Sequence, residues 1–232
     1  MKNFRNFLVA ILLIASFSTV SAQEKIGLSL HLGGALPMGQ FTVSPSYFSP
    51  KDLKEAKDIL KDKGSAVFGA SIGLRYNYTF ANTRIEDSGA GIFIAADLIW
   101  NYINKDVQNA YDSEKRTKPM YINAPIIIGG SWMSDFVNSP VNIWAEAGIG
   151  CDLFLKTQEG WSGNTVSYKM NPEFACEIGF GMMFIKTISL GVHYYWLGKQ
   201  EVRVKGVEYV GGFLTPPTMA IHMMEFKVGF HF

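Results

Sequence analysis

Arg75, Asp97, Glu146, Glu177, Glu225 and Lys227 are the residues on which chemistry would rest. Each lies in a segment where apolar residues recur at every second position, and each occupies the other, sparsely apolar phase. Counted from the segment ends they reach comparable depth, with Glu146 slightly lower. His31, Asp152 and His193 share the phase. Acids and bases facing one another in a space too narrow for open water would form a network of ion pairs, because buried charge requires partners. The same pairs set across a narrow pore would form a gate whose conductance follows their breaking.

A nucleophile is the third option. Ser29 and His31 stand two apart on one face, and His193 faces the same way. Acyl transfer needs a base within about 3 Å of the nucleophile's proton, which residue spacing does not establish. The chain contains no CxxC, HExxH, P-loop or GxSxG pattern, and its four His are scattered, so neither metal nor cofactor is expected. Cys151 and Cys176 fall on the apolar phase of neighbouring segments. They fit two free thiols or one cross-strand disulfide.

The elements that must position these residues read as strands. Leu28, Leu30 and Leu32 alternate with Ser29, His31 and Gly33. Comparable alternation covers 68–80, 92–102, 119–132, 142–155, 172–185, 188–198 and 219–232, which predicts eight strands. They exceed the ~5 to 6 residues of an ordinary strand and suit a tilted membrane crossing of about 9 to 11 residues. Connections alternate long and short, as in an up-and-down transmembrane barrel with both termini at the end bearing short turns. On the apolar phase, Phe80, Trp132, Phe184, Phe230 and Phe232 fall at that end. Trp100, Tyr102, Phe174, Tyr194 and Trp196 fall at the other, giving two aromatic girdles. Val202–Val204 followed by Val207–Tyr209 leaves ten strands as the alternative to a hairpin in the last long loop.

Composition agrees with this reading. The chain is 48% hydrophobic and 14% aromatic with 23 Gly and 2 Cys, which excludes disorder and a disulfide scaffold, and a net charge of +1 offers no footprint for nucleic acid. Lys2 and Arg5, the apolar run from Phe7 to Phe17, and Val20-Ser21-Ala22 form an export signal cleaved before Gln23. Residues 23–232 are then the barrel domain, with a net charge of −1. A soluble barrel of the lipocalin kind also alternates and closes. Its solvated face would carry many charges, whereas the second face here is largely Gly, Ser, Ala and Asn.

The phrases "ALPMGQF", "YINAPIIIGG" with Pro125 inside it, "WAEAGIGCDLFL", "EIGFGMMF" and "HYYWLG" run in series along 23–232. In them the chain resembles the outer-membrane β-barrel domain of Bacteroidetes, often called PorT-like. The resemblance implies an eight-stranded barrel of the OmpA and OmpX kind in the outer membrane. One class of that family takes part in secretion and gliding. The long charged first loop departs from the commoner pattern, so no loop-borne role transfers. The terminal Phe232 on the apolar phase of the last strand looks like the signal read by outer-membrane assembly machinery.

Within that loop, Ser49-Pro50-Lys51-Asp52 and Gly64 bracket a short helix with Leu53, Ala56, Ile59 and Leu60 on one face, either packed over the barrel mouth or open to a partner. Trp161 and the stretch 211–217 are further candidates for contact with an extracellular ligand or protein. The expectation is a monomeric, non-enzymatic outer-membrane barrel surrounded by membrane lipid, structural or binding through its extracellular loops. A narrow gated channel, a lipid-modifying enzyme and a secreted soluble barrel are the alternatives.

Overall fold

The structure is a computed structural model that describes residues 26–42, 66–80, 88–103, 120–134, 140–156, 166–168, 172–184, 187–204 and 218–232. The leader, the first-loop helix, Trp161, Val207–Tyr209 and 211–217 lie outside them.

The described residues form nine strands: β1 (Ile26–Met38), β2 (Ala66–Thr79), β3 (Ser88–Ile103), β4 (Met120–Ser134), β5 (Val141–Lys156), β6 (Val166–Tyr168), β7 (Glu173–Phe184), β8 (Ile188–Val204) and β9 (Thr218–His231). All of them but β6 pair antiparallel in sequence order. β9 also pairs with β1, so eight strands close a barrel that leaves no sheet edge. Residues 202–204 do not start a new barrel strand. They extend β8 and pair with β6 through Val166↔Val204 and Tyr168↔Val202. The connections 39–65, 104–119, 157–172 and 205–217 are long, and those at 80–87, 135–140 and 185–187 are short, alternating around the barrel.

Alternation within each strand sorts the side chains. Leu32, Leu36, Ile72, Ile94, Leu98, Ile128, Ile149, Ile178, Phe180, Leu190, Phe226 and Val228 are exposed on the outside. Where the side chains are described, Asp, Glu, Lys and Arg are absent from the outward positions of β1 to β5, β7 and β9, and on β8 Lys199, at the long-connection end, is the one charged residue. Aromatic residues mark both rims. Phe80, Trp132, Phe230 and Phe232 are exposed near the short connections, and Tyr102, Phe174 and Tyr194 near the long ones. Cys151 faces Phe174 across the ladder and Cys176 faces Ile149, so the cysteines are diagonal neighbours and both are free thiols.

The interior corrects one expectation. Its face is not limited to small and charged residues. Ile99, Tyr121, Ile127, Phe154, Leu197, Met219, Ile221 and Met223 are fully or almost fully buried there, filling the half nearer the long connections. After β1 the chain makes a 3-10 turn, Gly39–Thr42, which Gly39 opens with a φ of 59° that side chains rarely adopt. The turn brings Phe41 to the wall, its ring 5.0 Å from that of Tyr121. Tyr121 in turn lies 6.0 Å from Phe154.

A second departure is in β8, which runs past residue 198. Register with β9 slips between Trp196 and Lys199, and Gly198 there has a φ of 76°. The bulge inverts the phase beyond it, leaving Lys199 exposed and Gln200 buried. Simple alternation ends the strand where the bulge begins.

Candidate functional site: a closed charge cluster in the barrel

Six strands bring the ionisable residues to one place. Arg75 enters from β2, Asp97 from β3, Glu146 from β5, Glu177 from β7, His193 and Tyr195 from β8, and Glu225 and Lys227 from β9, and all are buried. Arg75 lies at one centre. Its Nη1 donates to Glu146 and its Nη2 to Glu177 at 2.7 Å, while the guanidinium packs over the Phe93 ring at 4.4 Å. His193 Nδ1 lies 2.6 Å from Glu177 Oε1 and 3.1 Å from Glu146 Oε1.

Lys227 forms the other centre. Its Nζ donates to Asp97 Oδ1 at 2.9 Å and lies 3.0 Å from Glu225 Oε2. Tyr195 joins the two halves. Its hydroxyl accepts from Lys227 at 2.7 Å and stands 2.8 Å from Asp97 Oδ2 and 2.9 Å from Glu177 Oε1, so its one proton serves either carboxylate. Four carboxylates thus face Arg75 and Lys227, with His193 Nδ1 set between the two glutamates.

Small residues make room for the network. Gly73 lies opposite Asp97, and a Cβ there would stand 1.7 Å from Asp97 Oδ1. At Gly179 a Cβ would meet His193 Nδ1 at 2.7 Å and Glu146 Oε1 at 2.8 Å. Replacing Gly73 by alanine is therefore expected to push Asp97 off Lys227 and Tyr195 and to destabilise the barrel by about 1 to 3 kcal/mol. A lower urea midpoint of the folded form is the measurement.

The other inward candidates stand apart. His31 Nε2 is 2.8 Å from Ser29 Oγ, and its ring lies edge-on to those of His193 and His231. No described acid contacts His31, and the Ser29 hydroxyl is fully enclosed at 0% exposure. Asp152 is buried nearer the long connections, with neither carboxylate oxygen in a hydrogen bond of full geometry. Glu146, Glu177 and His193 hold potential metal-ligand atoms within 4.8 Å of one another. Arg75 already occupies the Oε1 atoms of both glutamates, so a metal ion there would face its charge.

Tyr195 is the member that alternation did not single out. Its neighbours Tyr194 and Trp196 read as a girdle, and the inward phase of the residue between them was the signal available.

The chain matches no protein family and no curated protein. Among solved structures it is similar to the outer membrane protein OprG from Pseudomonas aeruginosa, at 12% identity and a TM-score of 0.46 over 90% of this chain and 97% of that one. It is also similar to Neisserial surface protein A, at 15% identity and 0.42 over 89% and 97%. A third is Ail, the attachment invasion locus protein of Yersinia pestis, at 10% and 0.38 over 90% and 100%.

Proposed function

We propose that the protein is an integral barrel of the outer membrane, closed to solutes, which works as a structural or binding element through the connections at its outer rim. One observation carries this: the barrel is apolar and nearly free of charge outside while its interior is filled by an ion-pair cluster and an apolar layer. Water would solvate such an exterior poorly, and hydrocarbon suits it. The phrases shared with the Bacteroidetes barrel domain support a PorT-like assignment. Phe232, exposed just past β9 on its outward phase, suits contact with assembly machinery.

The enclosed interior bears on the two other activities. Arg75 and Lys227 are tied to acids from three other strands, and Phe41, Tyr121 and Phe154 close the space toward the long connections. Passage would require breaking several buried ion pairs at once. Ser29 has its hydroxyl beside His31 but has no access for a lipid, which supports a non-enzymatic role. In planar bilayers the reconstituted protein is expected to show no stable conductance steps. Regular single-channel openings would overturn the closed reading, and recovery as a detergent-free soluble monomer would overturn the membrane reading.

A further inference from the structure

Among the outward side chains described, basic groups occur at one place, and the backbone is distorted to build it. On strand phase alone, Lys199 would join Tyr195 and Leu197 inside the barrel and Gln200 would face out. The bulge at Gly198 reverses both. Lys199 becomes exposed, while Gln200 is buried at 0% exposure with neither amide atom hydrogen-bonded to a described residue. Burying an amide without such a partner is unfavourable, so hydrogen bonding at Gln200 is not what the bulge gains. A side chain at 198 is excluded twice over, by the φ of 76° and by a Cβ that would lie 2.6 Å from Glu173 Cβ.

What the bulge does is set Lys199 beside His222. Trp196 pairs with His222 and Lys199 with Ala220, so Lys199 and His222 are diagonal neighbours, whose Cα atoms stand about 7 to 8 Å apart in such ladders. His222 is the lone ionisable residue on the described outward phase of β9. The Tyr194 hydroxyl lies 2.6 Å from His222 Nδ1. With that hydroxyl donating, the imidazole proton resides on Nε2, which has no partner among the described residues. Trp196 forms the floor, its ring 5.7 Å from that of Phe174. Lys199 makes no ion pair among the described residues.

An ammonium and an imidazole N–H, side by side at an aromatic rim on a wall whose other described outward side chains are uncharged, are donors for an anion that arrives with hydrocarbon attached. We propose that Lys199 and His222 bind a phosphate of the outer leaflet's phosphorylated glycolipid, lipid A, whose acyl chains lie along the β8 and β9 wall over Val192, Phe226 and Val228. The site rests on the outer-membrane reading above, with the long connections outward.

The test uses the full protein extracted in mild detergent, incubated separately with lipid A, fully dephosphorylated lipid A and phosphatidylglycerol, with retained lipid counted by native mass spectrometry. Lipid A is expected to be retained on the order of tenfold more than its dephosphorylated form. Lys199→Ala and His222→Ala are each expected to remove most of that preference, with Lys199→Arg restoring it and Ile94→Ala, on a distant part of the wall, leaving it unchanged. Heat-modifiable gel mobility shows that each variant is folded. Equal retention by Lys199→Ala, or indifference to the phosphates, would overturn the site. Equal or better retention of phosphatidylglycerol would overturn the glycolipid as its occupant. Failure of the wild-type protein to fractionate with outer membranes would instead strike the reading beneath it.

Discussion

Replacing Arg75 by alanine is expected to destabilise the barrel by about 3 to 5 kcal/mol, the scale on which removing one partner of a buried ion pair acts. The guanidinium is held by Glu146 and Glu177 and stacked on Phe93, and both glutamate side chains are almost fully enclosed. Without it Glu146 and Glu177 lose their arginine, and the ring nitrogen of His193 is the contact they still share. The loss therefore exceeds that of an exposed pair, which is worth about 0 to 1 kcal/mol. Equilibrium unfolding in urea from phosphatidylcholine vesicles, followed by tryptophan fluorescence, measures it. Arg75→Ala combined with Glu146→Gln and Glu177→Gln should recover part of the loss, because the unpaired charges go with the cation. A single-variant loss below about 1 kcal/mol would show that the cluster is hydrated and that the interior is open.

The second large effect lies on the opposite face of the wall. Ile178, in the middle of β7, points outward and is 59% exposed, between Ala147 of β5 and Tyr194 of β8. Ile178→Arg is expected to destabilise the protein by about 2 to 4 kcal/mol in a bilayer, the range for an arginine near the midplane of a lipid-facing wall. In water the same exposed substitution would fall within about 0.5 kcal/mol. The sign of the difference separates a lipid-wetted exterior from a solvated one. A neutral result in vesicles, measured in the same urea titration, would sink the membrane reading, whereas a comparable loss for Ile94→Arg and Phe226→Arg would map the apolar belt.

The barrel itself was legible in alternation, because a period of two assigns every residue of a long strand to one of two faces. Leu28 to Leu32, Ile92 to Tyr102 and Met224 to Phe232 needed nothing further. The six charges were legible by the same phase, as were the two aromatic rims. Tyr195 was not. A tyrosine beside Tyr194 and Trp196 reads as part of a rim, and its role as the link between Lys227, Asp97 and Glu177 depends on which strands lie across the lumen. The apolar layer was hidden for a related reason. Ile99, Phe154 and Met219 are far apart in the chain and meet only when the cylinder closes.

The bulge is where alternation along the strand fails. Alternation assumes one residue per rung, and the extra residue at Gly198 reverses the face of everything after it. Leu197-Gly198-Lys199 contains a glycine, yet many glycines in this chain stand in regular strand. A left-handed φ at one of them is a property of the backbone between two paired neighbours, β7 and β9.

From the amino-acid order alone came the faces: which residues point together, where the long strands run, and which connections are long. Those follow from the geometry of a single extended chain, in which side chains alternate whatever lies beside them. Depth, partnership and closure came only with the tertiary structure. Arg75 meets Glu177 across 102 positions and Lys227 meets Asp97 across 130, and such contacts exist because β1 pairs with β9 and the sheet has no end. The physical reason is that pairing register, and not the local sequence, sets the height at which each side chain enters the lumen.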